Sequence, residues 1–413
     1  MKVLVLAPNC DGTDVGEAWS THQWVARLGR LHDLTLLTTR RAGRTPPSAQ
    51  LPHVRVVEWN ELPVPARWER LRATLKPGYP LFALQARHWI RAAQRRGERF
   101  DLAHQLAPLA LRYPSPLADG DTPYVLGPLA GSVEAPRSFD EELGGSAWYV
   151  RLRALDRVRL RHDPWLRRSF ERASVVVGVA PYVGELLAGL QLARIEYAAE
   201  TGVEELPPQR PARAARPGAL ELLYVGRVVR TKGVIFAIRA VAALADFPDV
   251  RLTVVGAGDD LERCRREAAA LGVAQRVTFT GRVARAEVEE RYRASDVFLF
   301  PSLREPSGNV VFESMRHGLA IVACRAGGPG HVLVDGENAL LAPARDPDQF
   351  TAALAERVRR LALDVELRRR LGAGARERVA DVALWDAKAR WMSSLYSRVS
   401  RNETRRSAQP ASI

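Results

Sequence analysis

Short apolar runs alternate with longer amphipathic stretches along this chain. The first half carries MKVLVLAP (1–8), DLTLLTT (33–39), VRVVEW (54–59), FDLAHQL (100–106), PYVLGPLAG (123–131) and ASVVVGVA (173–180). The second half repeats the pattern at 221–225, 251–255, 277–280, 296–300 and 320–324. STHQWVARLGRL (20–31), between the first two runs, reads as a helix ending near Gly29. Strands alternating with helices predict an α/β fold of two Rossmann-like halves, each a doubly wound parallel sheet. PPQRPARAARPG (207–218) is rich in Pro and Arg and reads as a linker. The predicted division is an amino-terminal domain over 1–203, a linker over 204–218 and a second domain over 219–380. Apolar positions at Leu384, Trp385, Trp391, Met392, Leu395 and Tyr396 predict an amphipathic docking helix over 381–400, followed by a disordered tail over 401–413. No repeat of 20–50 residues is present.

The richest stretch is SDVFLFPSLREPSGNVVFESMRHGLAIVACRAGG (295–328). SDVFLF reads as a buried strand ending at Pro301. The loop 302–307 leads into a helix capped by Ser307 and stopped by Gly318, and AIVAC (320–324) is the next strand. In such a unit the loop beyond the strand faces a ligand crevice, and the helix aims free N–H groups into it. Glu305 lies in that loop, and Glu313 about one and a half turns into the helix. A helix N-terminus attracts anions, so two carboxylates beside it call for a ligand bearing both a diphosphate and hydroxyls. That describes a nucleotide sugar, with amides near Gly308, Asn309 and Val310 on phosphate and the glutamates on sugar hydroxyls. Two surface acids on a solvated helix would give the same spacing.

F-P-S-x-x-E-x-x-G-x-x-x-x-E, then G-x-x-[IV]-V-A and a double glycine at 327–328, resembles the signature of the retaining GT-B glycosyltransferases of family 4. The resemblance implies two Rossmann-like domains facing across a cleft, with the 381–400 helix crossing back to the amino-terminal domain. It implies that Glu305 contacts the donor sugar and Glu313 the nucleotide ribose. ELLYVGRVVRTKG (221–233) resembles the family's G-R-x-x-x-x-K-G segment, which would make Arg227 and Lys232 the cations that screen the diphosphate. Glu305, Arg227 and Lys232 are thus the expected catalytic residues, and no divalent metal or other cofactor is expected. VRLTVVGAGDD (250–260) enters a G-x-G turn, a weak dinucleotide fingerprint, and Val283, after RVTFTGRV (276–283), would touch the nucleobase through its backbone. The resemblance would make Gly16, in the first strand–helix loop, the acceptor-side glycine, although the family's usual double glycine is replaced here by VGEA, so only Gly16 and Glu17 match. No general base stands out. His104, ending FDLAH, is expected to face the crevice, and His22 lies on the first helix; Gly127-Pro128 stands where some relatives carry a base. The chain departs from the pattern at Ser307 and at His331, which occupies the usual place of a glutamate.

The chain has 413 residues, a net charge of +14 and a pI near 10.3. The length suits two domains. Cys10, Cys264 and Cys324 form no CxxC pair, which fits a reducing cytoplasm. No run of 18 apolar residues occurs, and the first strand is too short and too quickly polar for a signal peptide. RHWIRAAQRRGERF (87–100) and YVRLRALDRVRLRHDPWLRRSFERA (149–173) concentrate arginine in the first half, the second with eight Arg against three acids. Arginine interleaved with Trp, Leu and Val suits an anionic membrane surface. The expectation is a cytoplasmic enzyme, peripheral at the inner membrane face, taking a UDP-, GDP- or similar sugar to a saccharide or lipid-linked acceptor of a cell-surface polysaccharide or glycolipid. A nucleic-acid-binding protein would also be basic, but no helix-turn-helix, zinc or RRM signature is present. A nicotinamide oxidoreductase would need an intact G-x-G-x-x-G after the first strand. An epimerase or hydrolase of GT-B fold is the nearer alternative.

Overall fold

The computed structural model describes residues 1–61, 76–144, 154–208 and 218–408. The chain divides into two compact units, one of Met1–Ser132, Leu152–Thr201 and Trp385–Ile413, the other of Val133–Arg151 and Gly202–Leu384.

The first unit is built on β1 (Lys2–Asn9), α1 (Glu17–Leu31), β2 (Asp33–Arg40), β3 (Arg55–Asn60), α2 (Tyr79–Arg95), β4 (Leu102–Gln105), β5 (Tyr124–Leu129), α3 (Ala154–His162), α4 (Pro164–Glu171), β6 (Val175–Gly178) and β7 (Ile195–Tyr197). Its sheet is parallel, in the order β3-β2-β1-β4-β5-β6-β7. The alternation of strand side chains feeds two cores. Leu4 and Leu6 join Phe82 of α2 and Leu166 and Phe170 of α4 on one face, while Val3, Val5 and Ala7 join Trp24 and Leu28 of α1 on the other. Because both faces are covered, the strands read as continuous apolar runs rather than alternating ones.

The second unit contains β8 (Leu220–Val225), α5 (Val234–Ala242), β9 (Val250–Val255), α6 (Leu261–Ala270), β10 (Val277–Gly281), α7 (Arg285–Ala294), β11 (Val297–Phe300), α8 (Asn309–Arg316), β12 (Ala320–Cys324), β13 (Leu340–Ala342), α9 (Pro347–Leu363) and α10 (Val365–Val382). The sheet order is β10-β9-β8-β11-β12-β13, again parallel. The chain then forms α11 (Trp385–Ala408), which belongs to the first unit. There Trp385 meets the edges of Trp19 and Trp24 at ring distances of 5.9 and 5.5 Å. Lys388, buried beside the indoles of Trp24 and Trp385, donates to the Ala199 carbonyl at 2.6 Å.

Several expectations change. Gly29 does not end its helix: α1 runs on to Leu31, and a Cβ at Gly29 would lie 2.5 Å from Val54 Cγ2, so the glycine lets the helix rest on Val54. Residues 401–408 of the expected disordered tail continue α11, and 409–413 lie outside the described residues. Residues 209–217 of the expected linker lie outside the described residues. Just before them Val203 N–H donates to the Ala383 carbonyl at 2.8 Å, so the chain enters and leaves the second unit side by side. Residues Val133–Gly144, assigned by sequence to the first domain, pack with the second unit. Phe139 sits 5.5 Å from Phe236 and 5.9 Å from Phe350, ring to ring. Burial alone would raise the Glu142 carboxyl; bonds from Arg239 and Arg263 hold it below its ordinary value.

Candidate functional site

In the second sheet the strand order reverses between β8 and β11, and the loops leaving those strands flank the crevice where such sheets bind ligands. Glycines bring the loops together. A Cβ on Gly233 would lie 2.3 Å from the Pro301 carbonyl oxygen, and the Leu303 N–H donates to the Thr231 carbonyl at 3.1 Å. The β8 loop therefore lies directly on the β11 loop. Across this seam the Lys232 ammonium is bonded to Glu305 Oε2. Glu305 Oε1 accepts the Gly308 N–H at 3.2 Å. The carboxylate thus sits at the positive end of α8, where the helix dipole favours it.

Two further glycines hold that loop in place. Gly327 has φ +63, and a Cβ there would lie 2.1 Å from the Glu305 carbonyl oxygen; at Gly328 the oxygen of Pro306 would be 2.2 Å away. The predicted cap moves by one residue. Ser307 is buried, while Gly308, at φ +80, is the residue that opens α8. Asn309 and Val310 form the first turn, whose amides have no intrahelical acceptor. Glu313 is held at both oxygens, Oε1 by Arg285 at 2.7 Å and Oε2 by the buried Tyr292 hydroxyl at 3.1 Å. Burial, followed by Glu313, pushes the Tyr292 hydroxyl well above its ordinary pKa, so it stays a donor. His317 stacks on Tyr292 at 5.3 Å and meets Glu289 at 2.7 Å; burial outweighs that carboxylate and brings the imidazole down to about 4.

Arg227 is exposed on the β8 loop and Val283 is half-buried just after β10. The G-x-G turn of Gly256 and Gly258 has a packing role. A Cβ on either would come within 1.9 or 2.0 Å of the Gly226 or Val228 carbonyl oxygen, so the turn backs the β8 loop that carries Arg227 and Lys232. The positioning residues Tyr292 and Arg285 were missed by sequence reasoning, because an aromatic on a helix reads as core and an arginine as surface.

In the first unit a cavity of about 350 Å³ opens at the carboxyl ends of β1, β2 and β3. Asp11, Asp14, Glu17, Arg44, Lys76 and Asn60 line it above Tyr79 and Phe82. Arg44 bridges Asp11 at 3.2 Å and Asp14 at 3.0 Å, and Lys76 binds Glu17. Gly16, at φ +66 and with nothing within 4 Å of a Cβ, makes the turn between two lining residues, Val15 and Glu17. His104 is corrected. It is fully buried, with Nδ1 at 2.5 Å from the Tyr396 hydroxyl and Nε2 at 2.5 Å from the Gly127 carbonyl, so it ties α11 to the sheet and faces no crevice. Burial drives its pKa down to about 4. His22 lies against Gly12 and lines no part of the cavity. Among the described residues no cluster of three His, Cys, Asp or Glu side chains is arranged to hold a metal ion.

Residues 207–378 match the family model described as Glycosyl transferases group 1. A D-inositol 3-phosphate glycosyltransferase of Corynebacterium jeikeium is 34% identical over 46% of this chain and 46% of its own length. One from Streptomyces bingchenggensis is 28% identical over 80% of this chain and 69% of its own. The chain spans about half the length of the first of these relatives. Among solved structures, sucrose-phosphate synthase from Thermosynechococcus elongatus superposes with a TM-score of 0.66 at 20% identity, over 96% of this chain and 98% of that one. HepE of Anabaena, solved with UDP and glucose, gives 0.60 at 16% identity over 96% and 99%.

Proposed function

On a chain with the GT-B fold, we propose a glycosyltransferase that moves a sugar from a nucleoside-diphosphate sugar to a saccharide or lipid-linked acceptor with retention of anomeric configuration. The observation that carries this reading is the Lys232–Glu305–Gly308 seam at the switch point of the second sheet. The family match covers all of it, and HepE, of similar fold, was solved with UDP. Lys232 and Arg227 screen the diphosphate as it gathers charge on leaving. Glu313, held at both oxygens, accepts from the ribose hydroxyls, and Glu305 from those of the donor sugar. Asn309 and Val310 offer amides to phosphate, and the Val283 backbone meets the base. With His104 sealed, the reading uses no side-chain base; attack and departure take place on one face of the sugar, and the leaving phosphate accepts the acceptor's proton. The two cations stand in for a divalent metal.

The acceptor takes the cavity of the first unit, beside Gly16. No helix among the described residues is long and apolar enough to cross a membrane. The proposed enzyme works in the cytoplasm, peripheral at the inner membrane face, in cell-surface polysaccharide or glycolipid synthesis, without a nucleic-acid partner. The test is release of nucleoside diphosphate with and without a lipid-linked saccharide. Glu313→Ala and Lys232→Ala are each expected to cost roughly 10²–10³ in transfer, and EDTA to leave activity unchanged. Near-normal turnover in both variants would sink the donor site. Release that ignores every acceptor would favour a hydrolase.

A further inference from the structure

Opposite α1 and α11, the first sheet is covered by α2, α3 and α4. The short turn Pro116–Asp119 joins α2 to α4: Arg87 pairs with Asp119 at 3.1 Å, and Arg168 Nε donates to the Ala118 carbonyl at 3.3 Å. Outward, the helical period sorts side chains into stripes. Leu81, Leu84, His88, Arg91 and Arg95 form one along α2, and Trp165, Arg168 and Arg172 another along α4 and its end. The apolar members stand in solvent, Trp165 71% exposed, Leu84 61% and Val158 of α3 54%.

The acids of this face are already neutralised, Asp163 by Arg159 and Glu171 by Arg167, each at 2.7 Å. Among the described residues Arg91, Arg95, Arg161, Arg168 and Arg172 enter no ion pair, so the excess positive charge collects around exposed apolar side chains. A polyanion alone would match the arginines and leave the tryptophan and leucines wet. A leaflet matches both, with indole and leucine at the acyl boundary and guanidinium at the phosphates. The same helix reaches the proposed acceptor cavity, since Leu81, Phe82 and Gln85 of α2 line it.

We propose that the outer face of α2, α3 and α4 docks on an anionic phospholipid leaflet, with Trp165 and Leu84 as anchors and the unpaired arginines on lipid phosphate. The membrane purpose rests on the acceptor reading above, but the surface chemistry can be tested apart from it. Full-length protein is floated with vesicles of phosphatidylcholine alone or mixed with phosphatidylglycerol. Binding is expected only to the mixed vesicles at low salt, and is expected to be lost near 1 M salt, where the screening length is about 3 Å. Each arginine contributes about fivefold in partitioning, so Arg161→Ser/Arg168→Ser/Arg172→Ser together should lose about a hundredfold. Trp165→Ser should weaken binding by a similar factor at every salt concentration at which the wild type binds. Arg360→Ser/Arg369→Ser/Arg370→Ser, on the second unit, should change little. Circular dichroism checks folding, and thermal stabilisation by UDP or GDP should survive in every variant. Flotation without such stabilisation in the wild type would overturn the donor site and leave the surface standing. Equal loss in both triple variants, no wild-type flotation, or retention on duplex DNA with vesicles ignored would overturn the surface.

Discussion

Tyr292→Phe removes one oxygen and tests whether Glu313 meets the nucleotide. The hydroxyl bonds Glu313 Oε2 at 3.1 Å and the Val310 carbonyl at 3.3 Å, while Arg285 holds the other carboxylate oxygen at 2.7 Å. The ring itself remains, stacked on His317. A hydrogen bond to a charged group contributes about 1.5–3 kcal/mol. Arg285 still anchors Oε1, so the lower end applies, and the loss falls on the orientation of Oε2. About 1.5 kcal/mol is roughly tenfold in a dissociation constant. UDP and GDP titrated calorimetrically into wild type and variant should show that loss for whichever nucleotide binds. In turnover, donor KM should rise about tenfold with kcat within about twofold, the pattern of lost uniform binding. Because the phenol stays protonated, the effect should not vary between pH 6 and 9. Unchanged nucleotide affinity with a lowered melting temperature would mean that Tyr292 only packs and that Glu313 does not reach the ligand.

Gly327→Ala places a Cβ against the Glu305 carbonyl oxygen, on a backbone at φ +63. Gly336→Ala meets the same left-handed backbone, at φ +80, but open space. Gly336→Ala should lose about 1–2 kcal/mol in urea unfolding and Gly327→Ala more, and only Gly327→Ala should lose transfer, by tenfold or more; equal activities would refute the role of that contact. Lys388, lowered by burial from 10.5 to about 7, gives a pH signature. Between those values the unfolded chain carries a proton that the folded one lacks, so stability should rise with pH above 7, by up to about 1.4 kcal/mol per pH unit, and fall as pH drops through 7. Urea midpoints from pH 6 to 9 should show this slope in the wild type and not in Lys388→Met; parallel curves would mean that the two indoles and the Ala199 carbonyl keep the ammonium charged.

The long strands were legible because both their faces are buried, which writes them as unbroken apolar runs. β7 and β13, three residues each at sheet edges, carry too little pattern to be seen. The spacing of Glu305 and Glu313 placed them in the loop and the helix, but their partners come from elements distant in sequence. Nothing near 313 announces Tyr292 or Arg285. His104 was misplaced for a related reason: a strand end suggests a ligand, and only the fold shows Tyr396, nearly 300 residues on, capping it. Phe139 and Glu142 lie in a polar segment that looks like a solvent loop until Phe236, Phe350, Arg239 and Arg263 gather around them. The G-x-G at 256–258 is instructive in the other direction, because glycine marks close approach of backbone whether the neighbour is a phosphate or, as here, another loop.

Net charge behaves in the same way. A value of +14 says nothing about where a partner binds until the arginines already committed inside the protein are set aside. Arg239 and Arg263 hold Glu142, Arg285 holds Glu313, and Arg316 holds Glu289. Even within the arginine-rich stretch of the first half, Arg159 turns in to Asp163 and to the Arg112 carbonyl, leaving little of its charge for a surface. What survives this sorting on the first unit is a smaller set, Arg161, Arg168 and Arg172 with Arg91 and Arg95, and it survives next to Trp165 and Leu84. Composition alone could be satisfied by any polyanion. Pairing and exposure together are what the proposed docking rests on, since they call for a partner with charge at its surface and hydrocarbon just beneath.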